Sequence, residues 1–221
     1  MILQTNGISK SYSKKKNSRM ITVLDSTDIE LRAGELTVIV GRSGSGKTTL
    51  LNILAGLLRP SEGSVLYDGM DIYGCSDKEL SAFRAEHTGY IPQSQSILHD
   101  LDVKNNILLP SALIGKDESA NARLLMDELG IASLENSYPD ELSGGELRRT
   151  AVARALINEP SFIFADEPTN DLDVKNSSLV FGLLKKKAEE GAAVIVVTHE
   201  QSAAEYADNV YQMESGRLRS L

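Results

Sequence analysis

The chain has 221 residues, of which 41% are hydrophobic, and a formal net charge of −8. This length supports one substantial core and is marginal for two, so we expect one domain with an inserted lobe. The negative charge argues against a nucleic-acid partner, and no apolar run approaches the roughly 20 residues of a membrane-spanning helix. Residues 1–5 show no export signal, and the lone cysteine, Cys75, is typical of a reducing compartment.

The predicted elements begin with two strand segments, Ile2–Ser9 and Ile21–Leu31, which have no helix between them and are expected to form an antiparallel β layer. The apolar run Glu35–Val40 then predicts a strand, followed by a glycine-rich turn and a helix over Thr48–Leu58. Further strands, separated by helical stretches, are predicted at Ser64–Tyr67, Thr88–Ile91, Ser161–Ala165 and Ala193–Val197. This alternation predicts an α/β fold with a mainly parallel sheet.

A basic cluster lies between the first two strand segments. It consists of Lys14, Lys15, Lys16 and Arg19. We interpret it as a solvated loop, and a contact for anionic lipid or for a partner is the alternative.

The middle of the chain, from about residue 100 to 158, changes to a mainly helical pattern. Its clearest predicted helices are Asp117–Leu129 and Gly144–Leu156, and it contains no convincing strand. We therefore expect a helical lobe at about 100–158, inserted into an α/β core formed by about 1–99 and 159–221. The whole of 1–221 would be a single domain.

The turn after Glu35–Val40 fits the pattern G-x-x-x-x-G-K-[ST] and lies between a predicted strand and a predicted helix. Its glycines allow backbone N–H groups to converge on phosphate oxygens, and the following helix adds its positive end. Lys47 would bridge the β- and γ-phosphates of a nucleotide, and the Thr48 hydroxyl would ligate Mg²⁺. The predicted phosphate-binding residues are Gly41, Arg42, Ser43, Gly44, Ser45, Gly46, Lys47, Thr48 and Thr49.

Two carboxylates, Asp166 and Glu167, directly follow the apolar strand Ser161–Ala165. Asp166 is placed to hold Mg²⁺ through water, and Glu167 can polarise an attacking water. Ordinary solvated acids at the end of a strand are the alternative. With the phosphate loop, this pair fits many nucleotide hydrolases, kinases and switch proteins.

The stretch Leu142–Glu146, with sequence LSGGE, decides among these classes. Its serine and glutamate have the S-x-x-E spacing of a capping box, which would begin a helix with Leu147, Ala151, Ala155 and Leu156 on one apolar face. A serine and two glycines at a helix start also present donors suited to a γ-phosphate. The stretch resembles the LSGGQ signature of ABC ATPases, with Glu146 in place of glutamine. The residues that match are Ser143, Gly144, Gly145 and Glu146.

The resemblance to the ABC family extends over essentially the whole chain and implies further roles. Tyr12 matches the aromatic residue that stacks on adenine, although simple packing is the alternative for this tyrosine. Gln93 matches the glutamine that reaches Mg²⁺ and whose loop responds to the membrane subunit. His199 matches the histidine that contacts the γ-phosphate. The residues that match the D-loop, which runs across the dimer interface, are Asn170, Asp171, Leu172 and Asp173, and a polar turn after a strand is the alternative for this segment.

The same resemblance implies a mechanism with ATP and Mg²⁺ as cofactors. Two copies would bind head to tail, with each ATP between 41–49 of one copy and 143–146 of the other. The implied catalytic residues are Lys47, Glu167 and His199, and the implied Mg²⁺ ligands are Thr48, Gln93 and Asp166. Opening of the dimer after hydrolysis would drive integral membrane permease subunits, with this chain bound peripherally on the cytoplasmic side of the cell membrane.

A narrower resemblance links the chain to the lipoprotein-release and macrolide-export group of ABC ATPases. It is carried by the compact length and by the segment 106–110, with sequence NILLP. This group implies export or extraction of a lipid-like, peptide or drug cargo.

Three alternatives to a transporter subunit follow from the same residues. An ABC ATPase that acts on ribosomes or nucleic acid usually carries two ATPase modules or a long coiled coil. A module that senses ATP without hydrolysis would lack Glu167 or His199, and both are present. A kinase would leave Ser143–Glu146 without a purpose. The transporter ATPase is therefore the leading hypothesis, and the non-transport ABC ATPase is the main alternative.

Overall fold

The computed structural model describes residues 1–13, 20–94 and 96–221. The basic cluster of Lys14, Lys15, Lys16 and Arg19, predicted as a solvated loop, lies outside the described residues. In the part of the chain that is described, no helix combines the length and the apolar character needed to cross a membrane.

The described chain folds into strands β1–β11 and helices α1–α6. The strands are β1 (Ile2–Ser13), β2 (Met20–Thr27), β3 (Glu30–Arg32), β4 (Leu36–Val40), β5 (Glu62–Tyr67), β6 (Met70–Asp71), β7 (Thr88–Ile91), β8 (Phe162–Asp166), β9 (Ala193–Thr198), β10 (Asn209–Glu214) and β11 (Arg217–Ser220). The helices are α1 (Lys47–Leu54), α2 (Asp77–His87), α3 (Val103–Leu113), α4 (Ser119–Glu128), α5 (Gly144–Leu156) and α6 (Val174–Glu189). Short 3-10 helices lie at Ala132–Leu134, Pro139–Glu141 and Gln201–Tyr206.

The larger sheet has the strand order β11-β10-β4-β9-β8-β7. All neighbouring pairs from β10 to β7 are parallel, and only β11 pairs antiparallel, with β10. The predicted α/β fold with a mainly parallel sheet is confirmed. Because β4, β9 and β8 are neighbours, the residues that follow these three strands meet at one edge of the sheet, where ligands of parallel sheets bind.

The second sheet has the order β2-β1-β5-β6, with β3 also paired to β1. All its pairs are antiparallel, which confirms the predicted antiparallel layer from the N-terminal part. Ser64–Tyr67 was predicted as a strand of the mainly parallel sheet. It is a strand, but it belongs to β5 in the antiparallel sheet, so its predicted sheet was wrong. Asp68 and Gly69, at φ 46° and 84°, form the tight turn of a hairpin with β6 and so prevent a helical crossover to a parallel strand.

Helix α1 ends at Leu54, four residues before the predicted end at Leu58. The cause is Gly56, whose φ of 70° lies in the left-handed region that commonly terminates helices. Between β7 and β8 the described residues form helices α3, α4 and α5 and no strand, as the pattern over about 100–158 predicts.

Strands β8 and β9 are buried on both sides, because successive side chains contribute to different hydrophobic cores. Ile163 and Val194 pack into the core that contains helices α3–α6. Phe164 and Ile195 pack into the other core, with α1 and the antiparallel sheet. The parallel sheet is therefore held rigidly from both faces, and its carboxyl edge is a fixed platform for the site.

Candidate functional site

The loop from Gly41 to Gly46 connects β4 to α1 and has a backbone that requires glycine. Gly44 and Gly46 have φ values of 78° and 108°, in the left-handed region. At Gly41, an added Cβ would lie 2.4 Å from the carbonyl oxygen of Met213. The sequence pattern of this loop is therefore dictated by its shape, and glycine-rich turns of this kind can present backbone N–H groups to a phosphate.

The loop is supported by the turn between β10 and β11. The Gly216 N–H donates to the Ser45 carbonyl at 2.9 Å, and the Gly216 carbonyl accepts from the Asp25 N–H at 2.9 Å. On the same side, an added Cβ at Gly46 would lie 2.7 Å from the Val23 carbonyl. Residues far apart in the chain thus contact the loop and hold it in position.

Lys47 is the first residue of α1, and its side chain is buried. Its Nζ donates to the Gly41 carbonyl at 2.6 Å and to the Arg42 carbonyl at 3.2 Å. The same atom lies 3.8 Å from Oε1 of Glu167. The ammonium group is therefore held at the mouth of the loop, between the carbonyl groups and the catalytic candidate Glu167.

A pocket of about 170 Å³ lies between the loop and the ends of β7 and β8. The residues that line it are Val23, Ser43, Gly44, Gly46, Lys47, Thr48, Thr49, Gln93, Asp166 and Glu167. Predicted phosphate, metal and catalytic residues from three separate segments therefore line one space, and Gly41, Arg42, Ser45 and His199 line a second pocket that shares Ser43 and Gly44 with it.

Oxygen ligands for a divalent cation are present in this pocket. Burial raises the pKa of the Asp166 carboxyl, the Thr48 hydroxyl lowers it by a hydrogen bond, and the charge of Glu167 raises it further. One carboxylate oxygen of Asp166, Oδ1, is buried without a hydrogen-bond partner in the protein. With Thr48 and Gln93 beside it, this oxygen fits Mg²⁺, which takes few protein ligands and completes its shell with water and phosphate.

Glu167 is buried, with 7% of its surface exposed, and has a φ of 47° that is rare outside glycine. Its N–H donates to the Val197 carbonyl at 2.8 Å. Its Oε2 accepts from the Thr198 hydroxyl at 2.8 Å and from the His199 N–H at 3.2 Å, and lies 2.9 Å from His199 Nδ1. The carboxylate is thus fixed beside the pocket, and His199 is linked to it directly.

The segment Ser143–Glu146 begins α5 with the predicted capping box. The backbone N–H and the hydroxyl of Ser143 donate to Oε2 of Glu146 at 2.8 and 2.7 Å, and the Glu146 N–H donates to the Ser143 hydroxyl at 3.4 Å. The Ser143 hydroxyl first, and then its backbone N–H, lower the pKa of Glu146. These residues are not among the described ones that line the phosphate pocket of the same chain.

The predicted D-loop, Asn170–Asp173, lies beside this helix start. An added Cβ at Gly145 would be 3.3 Å from Cδ2 of Leu172. Asp171 has a φ of 67°, and the Asp173 carboxylate caps α6 by accepting from the Asn176 N–H at 2.8 Å. Asp173 therefore has a structural function as a cap, whatever else the segment contacts.

Tyr12 is not among the residues that line this pocket, nor among those that line the neighbouring pocket, where Gly41, Arg42, Ser45 and His199 lie. It stands on β1 opposite Ile21 and is 45% exposed. The Lys10 ammonium group lies 5.4 Å from the centre of its ring. Its predicted stacking on adenine stays a prediction.

Two residues that contact the site, Thr198 and Arg148, were not predicted from the sequence. Thr198 is fully buried and donates to Glu167; its position at the end of an apolar strand, directly before His199, was a usable signal. Arg148 is buried on α5, whereas Leu147, predicted on the apolar face, is only half-buried. No local pattern marks a buried arginine, because its partners lie in distant segments.

The sequence profile of a family described as ABC transporter matches residues 24–170, which include the phosphate loop, Ser143–Glu146 and Glu167. The chain belongs to the ABC transporter family. Among its ABC relatives, the bacitracin export ATP-binding protein BceA of Halalkalibacterium halodurans is 41% identical, over 98% of this chain and 87% of the relative. The lipoprotein-releasing system ATP-binding protein LolD of Chromohalobacter salexigens is 36% identical, over 99% of this chain and 93% of the relative.

The fold is also that of a solved ABC cassette. The dimeric post-hydrolysis structure of the ATP-binding cassette MJ0796, bound to ADP and Pi, superposes with a TM-score of 0.91 at 32% identity. The match covers 99% of this chain and 98% of that cassette. The resemblance to ABC ATPases of the lipoprotein-release type is confirmed by these relatives, and the fold prediction by this structure.

Proposed function

We propose that this chain is the ATP-binding and ATP-hydrolysing subunit of an ABC transporter and powers transport by a separate membrane permease. One observation carries the proposal: Lys47, Thr48, Asp166 and Glu167 converge on a single pocket at the carboxyl edge of the parallel sheet. The relatives, named as ATP-binding proteins of bacitracin export and lipoprotein release, support the same conclusion.

Nucleotide binding would use the loop and the residues around it. The N–H groups of 41–49 and the Lys47 ammonium group would hold the phosphates, and Tyr12 would stack on the adenine. Thr48, Gln93 and Asp166 would hold Mg²⁺, which neutralises charge on the β- and γ-phosphate oxygens when it is bound. The unpartnered Oδ1 of Asp166 supports this assignment.

Hydrolysis would depend on Glu167, which orients the attacking water and accepts its proton. The Thr198 hydroxyl and the His199 N–H keep this carboxylate in a fixed orientation. His199, held through its Nδ1, and Lys47 would stabilise the charge that develops on the γ-phosphoryl group.

The signature would complete the site of a second copy, in a head-to-tail dimer. Within one chain, Ser143–Glu146 lie outside the phosphate pocket and Ser143 is exposed at the start of α5. The D-loop, Asn170–Asp173, lies against the same helix start, as expected if both face the partner. The dimeric state named for the MJ0796 cassette supports an assembly of two copies. ATP would then join the two subunits, and loss of the γ-phosphate would release them.

The remaining parts of the proposal concern organisation and partners. The segment of about 100–158 would form a lobe within a single domain, since α3, α4 and α5 share one hydrophobic core with β4, β8 and β9. The dimer would bind integral permease subunits peripherally on the cytoplasmic side of the membrane. The relatives favour export or extraction of a peptide or lipid-like cargo.

The head-to-tail arrangement is tested by mixing two variants with strongly reduced turnover, Lys47→Met and Ser143→Ala. A mixed dimer contains one site with an intact loop from one subunit and an intact signature from the other. If the subunits mix at random and the sites act independently, the mixture should recover roughly a quarter of the wild-type MgATP turnover. The measurement is phosphate release by each variant alone and by the mixture.

The control is the double variant Lys47→Met/Ser143→Ala mixed with either single variant, which has no intact site in a head-to-tail dimer. Differently tagged subunits show by pull-down that mixed dimers form. Mixed dimers without recovered activity would contradict the head-to-tail proposal. A wild-type protein that does not hydrolyse MgATP would contradict the proposed function itself.

A further inference from the structure

Arg148 is a charged residue in the interior of the molecule. It lies on α5, two residues after the capping box, and only 1% of its surface is exposed. No carboxylate among the described residues pairs with its guanidinium within salt-bridge distance. Instead, all three guanidinium nitrogens donate to backbone carbonyl groups, and the carbonyls belong to two other segments.

The first segment is the loop after β7 that carries Gln93. Arg148 Nη1 donates to the Pro92 carbonyl and, at 3.3 Å, to the Gln93 carbonyl. The guanidinium thus fixes the backbone from which the Gln93 side chain reaches the phosphate pocket. Helix α5, which starts at the signature, is therefore tied to this loop by a buried contact.

The second segment is the turn after β8, which carries both carboxylates. Arg148 Nη2 donates to the Asp166 carbonyl at 2.9 Å and to the Glu167 carbonyl, and Nε donates to the Pro168 carbonyl at 2.9 Å. The planar guanidinium offers its donors in a fixed geometry, so these carbonyl groups are held relative to one another.

The contact to Glu167 matters because the backbone of this residue is strained. A φ of 47° is unfavourable for a side chain of this size and persists only where the surroundings enforce it. The Val197 carbonyl accepts from the N–H of Glu167, while the Glu167 carbonyl accepts from Arg148 Nη2 and, at 3.1 Å, from the Asn170 N–H. Arg148 is the donor among these that lies on helix α5, so its loss removes the contact that ties this strained backbone to the helix.

We propose that Arg148 is a positioning residue for ATP hydrolysis, whose guanidinium fixes the Glu167 backbone and the Gln93 loop relative to helix α5. The proposal rests on the proposed function, in which Glu167 activates water. Arg148 touches neither the phosphate loop nor Lys47, so its loss should lower kcat and leave the KM for ATP nearly unchanged.

The helix supplies its own control, Arg154, which is a partly buried arginine on α5. Its Nη1 and Nη2 donate to the carbonyl and the hydroxyl of Ser96 at 2.7 and 2.8 Å. Arg154 therefore anchors the same helix to the same loop, and it has no hydrogen bond to residues 166–168. Comparing the two arginines separates the anchoring of α5 from the positioning of Glu167.

The experiment measures kcat, the KM for ATP in the presence of Mg²⁺, and thermal unfolding for Arg148→Gln, Arg148→Lys and Arg154→Gln. Misplacement of a catalytic group by about 1 Å costs on the order of a hundredfold, so kcat of Arg148→Gln should fall by about that factor. Arg148→Lys should be intermediate, because lysine keeps the charge but lacks the fork of donors. Arg154→Gln should keep a kcat close to that of the wild type.

A double-variant comparison shows whether Arg148 acts through Glu167. Glu167→Gln alone should bind ATP and hydrolyse it slowly; adding Arg148→Gln should then change kcat by less than about threefold, because residues that act as a unit are not additive. If Arg148→Gln does not fold, Arg148→Lys takes its place with the same expected non-additivity.

Three results would contradict the role of Arg148 and leave the proposed function untouched. The first is a wild-type kcat for Arg148→Gln, and the second is a fall in kcat for Arg154→Gln as large as that for Arg148→Gln. The third is that Arg148→Gln lowers kcat by the same factor in the Glu167→Gln variant as in the wild type. A Glu167→Gln variant that hydrolyses ATP at the wild-type rate would instead refute the catalytic role of Glu167, and this proposal with it.

Discussion

Two helices of this protein, α2 and α5, begin with nearly identical capping boxes. At α2 the Ser76 hydroxyl and N–H donate to Oε2 of Glu79 at 2.6 and 2.9 Å, and at α5 the equivalent distances from Ser143 to Glu146 are 2.7 and 2.8 Å. The reciprocal bond from the glutamate N–H is 3.4 Å in both. In both boxes the serine hydroxyl is the main cause of the lowered pKa of the glutamate.

The two boxes differ in the residues between serine and glutamate. Helix α2 has Asp77 and Lys78 there, whereas α5 has Gly144 and Gly145. Glycines add no side chain to the first turn of α5, which would let a large anion approach the backbone. The hydrogen bonds of a capping box specify where a helix starts, and we expect the glycine pair to distinguish a helix start that binds phosphate from one that is only capped.

The largest effect is expected from a charge placed between the two capping residues. Gly145→Asp puts a carboxylate where the partner's γ-phosphate would lie, and repulsion between like charges costs several kcal/mol. MgATP turnover should fall at least about a hundredfold. Lys78→Asp, the matched change at α2, should leave turnover unchanged. Turnover of Gly145→Asp at the level of Lys78→Asp would contradict a phosphate contact at α5.

The serines themselves give a smaller, two-part prediction. Ser143→Ala and Ser76→Ala should lower the free energy of unfolding equally, by about 1 kcal/mol, because each removes an N-cap. Only Ser143→Ala should also reduce turnover, by about tenfold to a hundredfold, since a hydrogen bond to a charged group contributes about 1.5–3 kcal/mol. Unfolding curves and steady-state phosphate release measure the two parts. An equal loss of turnover in both variants would show that Ser143 serves only as a cap.

The smallest expected effect is the dependence of the two boxes on pH. The pKa values of Glu79 and Glu146 are lowered below their usual value of 4.5 in the folded protein. Their charged forms therefore stabilise the fold above pH 4.5, and this contribution is lost as the pH falls through the lowered folded values. Glu79→Gln and Glu146→Gln should each lower the Tm slightly at pH 7 and converge with the wild type in acid. A clear difference between the Tm changes of the two variants would show that the two capping boxes do not contribute equally to stability.

Elements with local signals were predicted well from the sequence. Helix α5 has the predicted bounds, Gly144–Leu156, because its capping box and apolar positions lie within it. Strand β7 likewise has its predicted bounds, Thr88–Ile91. Lys47, Asp166 and Glu167 could be placed together in advance, because each directly adjoins an apolar strand or the loop that follows one.

Features that depend on distant partners were not predicted. The sheet to which β5 belongs depends on its pairing with β1, although the Asp68–Gly69 turn was a local sign of a hairpin. Strands β10 and β11 have no distinctive apolar run, and β10 is defined by its parallel pairing with β4. The burial of Arg148 depends on carbonyl groups in two loops separated from α5 in the chain.

The support of the phosphate loop by the turn between β10 and β11 has a consequence for synthesis of the protein. The loop residues 41–48 are made long before Met213 and Gly216, which contact them. A growing chain that has not reached Met213 carries the motif without the contacts that hold its shape. We therefore expect ATP to protect the protein from cellular proteases only after Gly216 has been made.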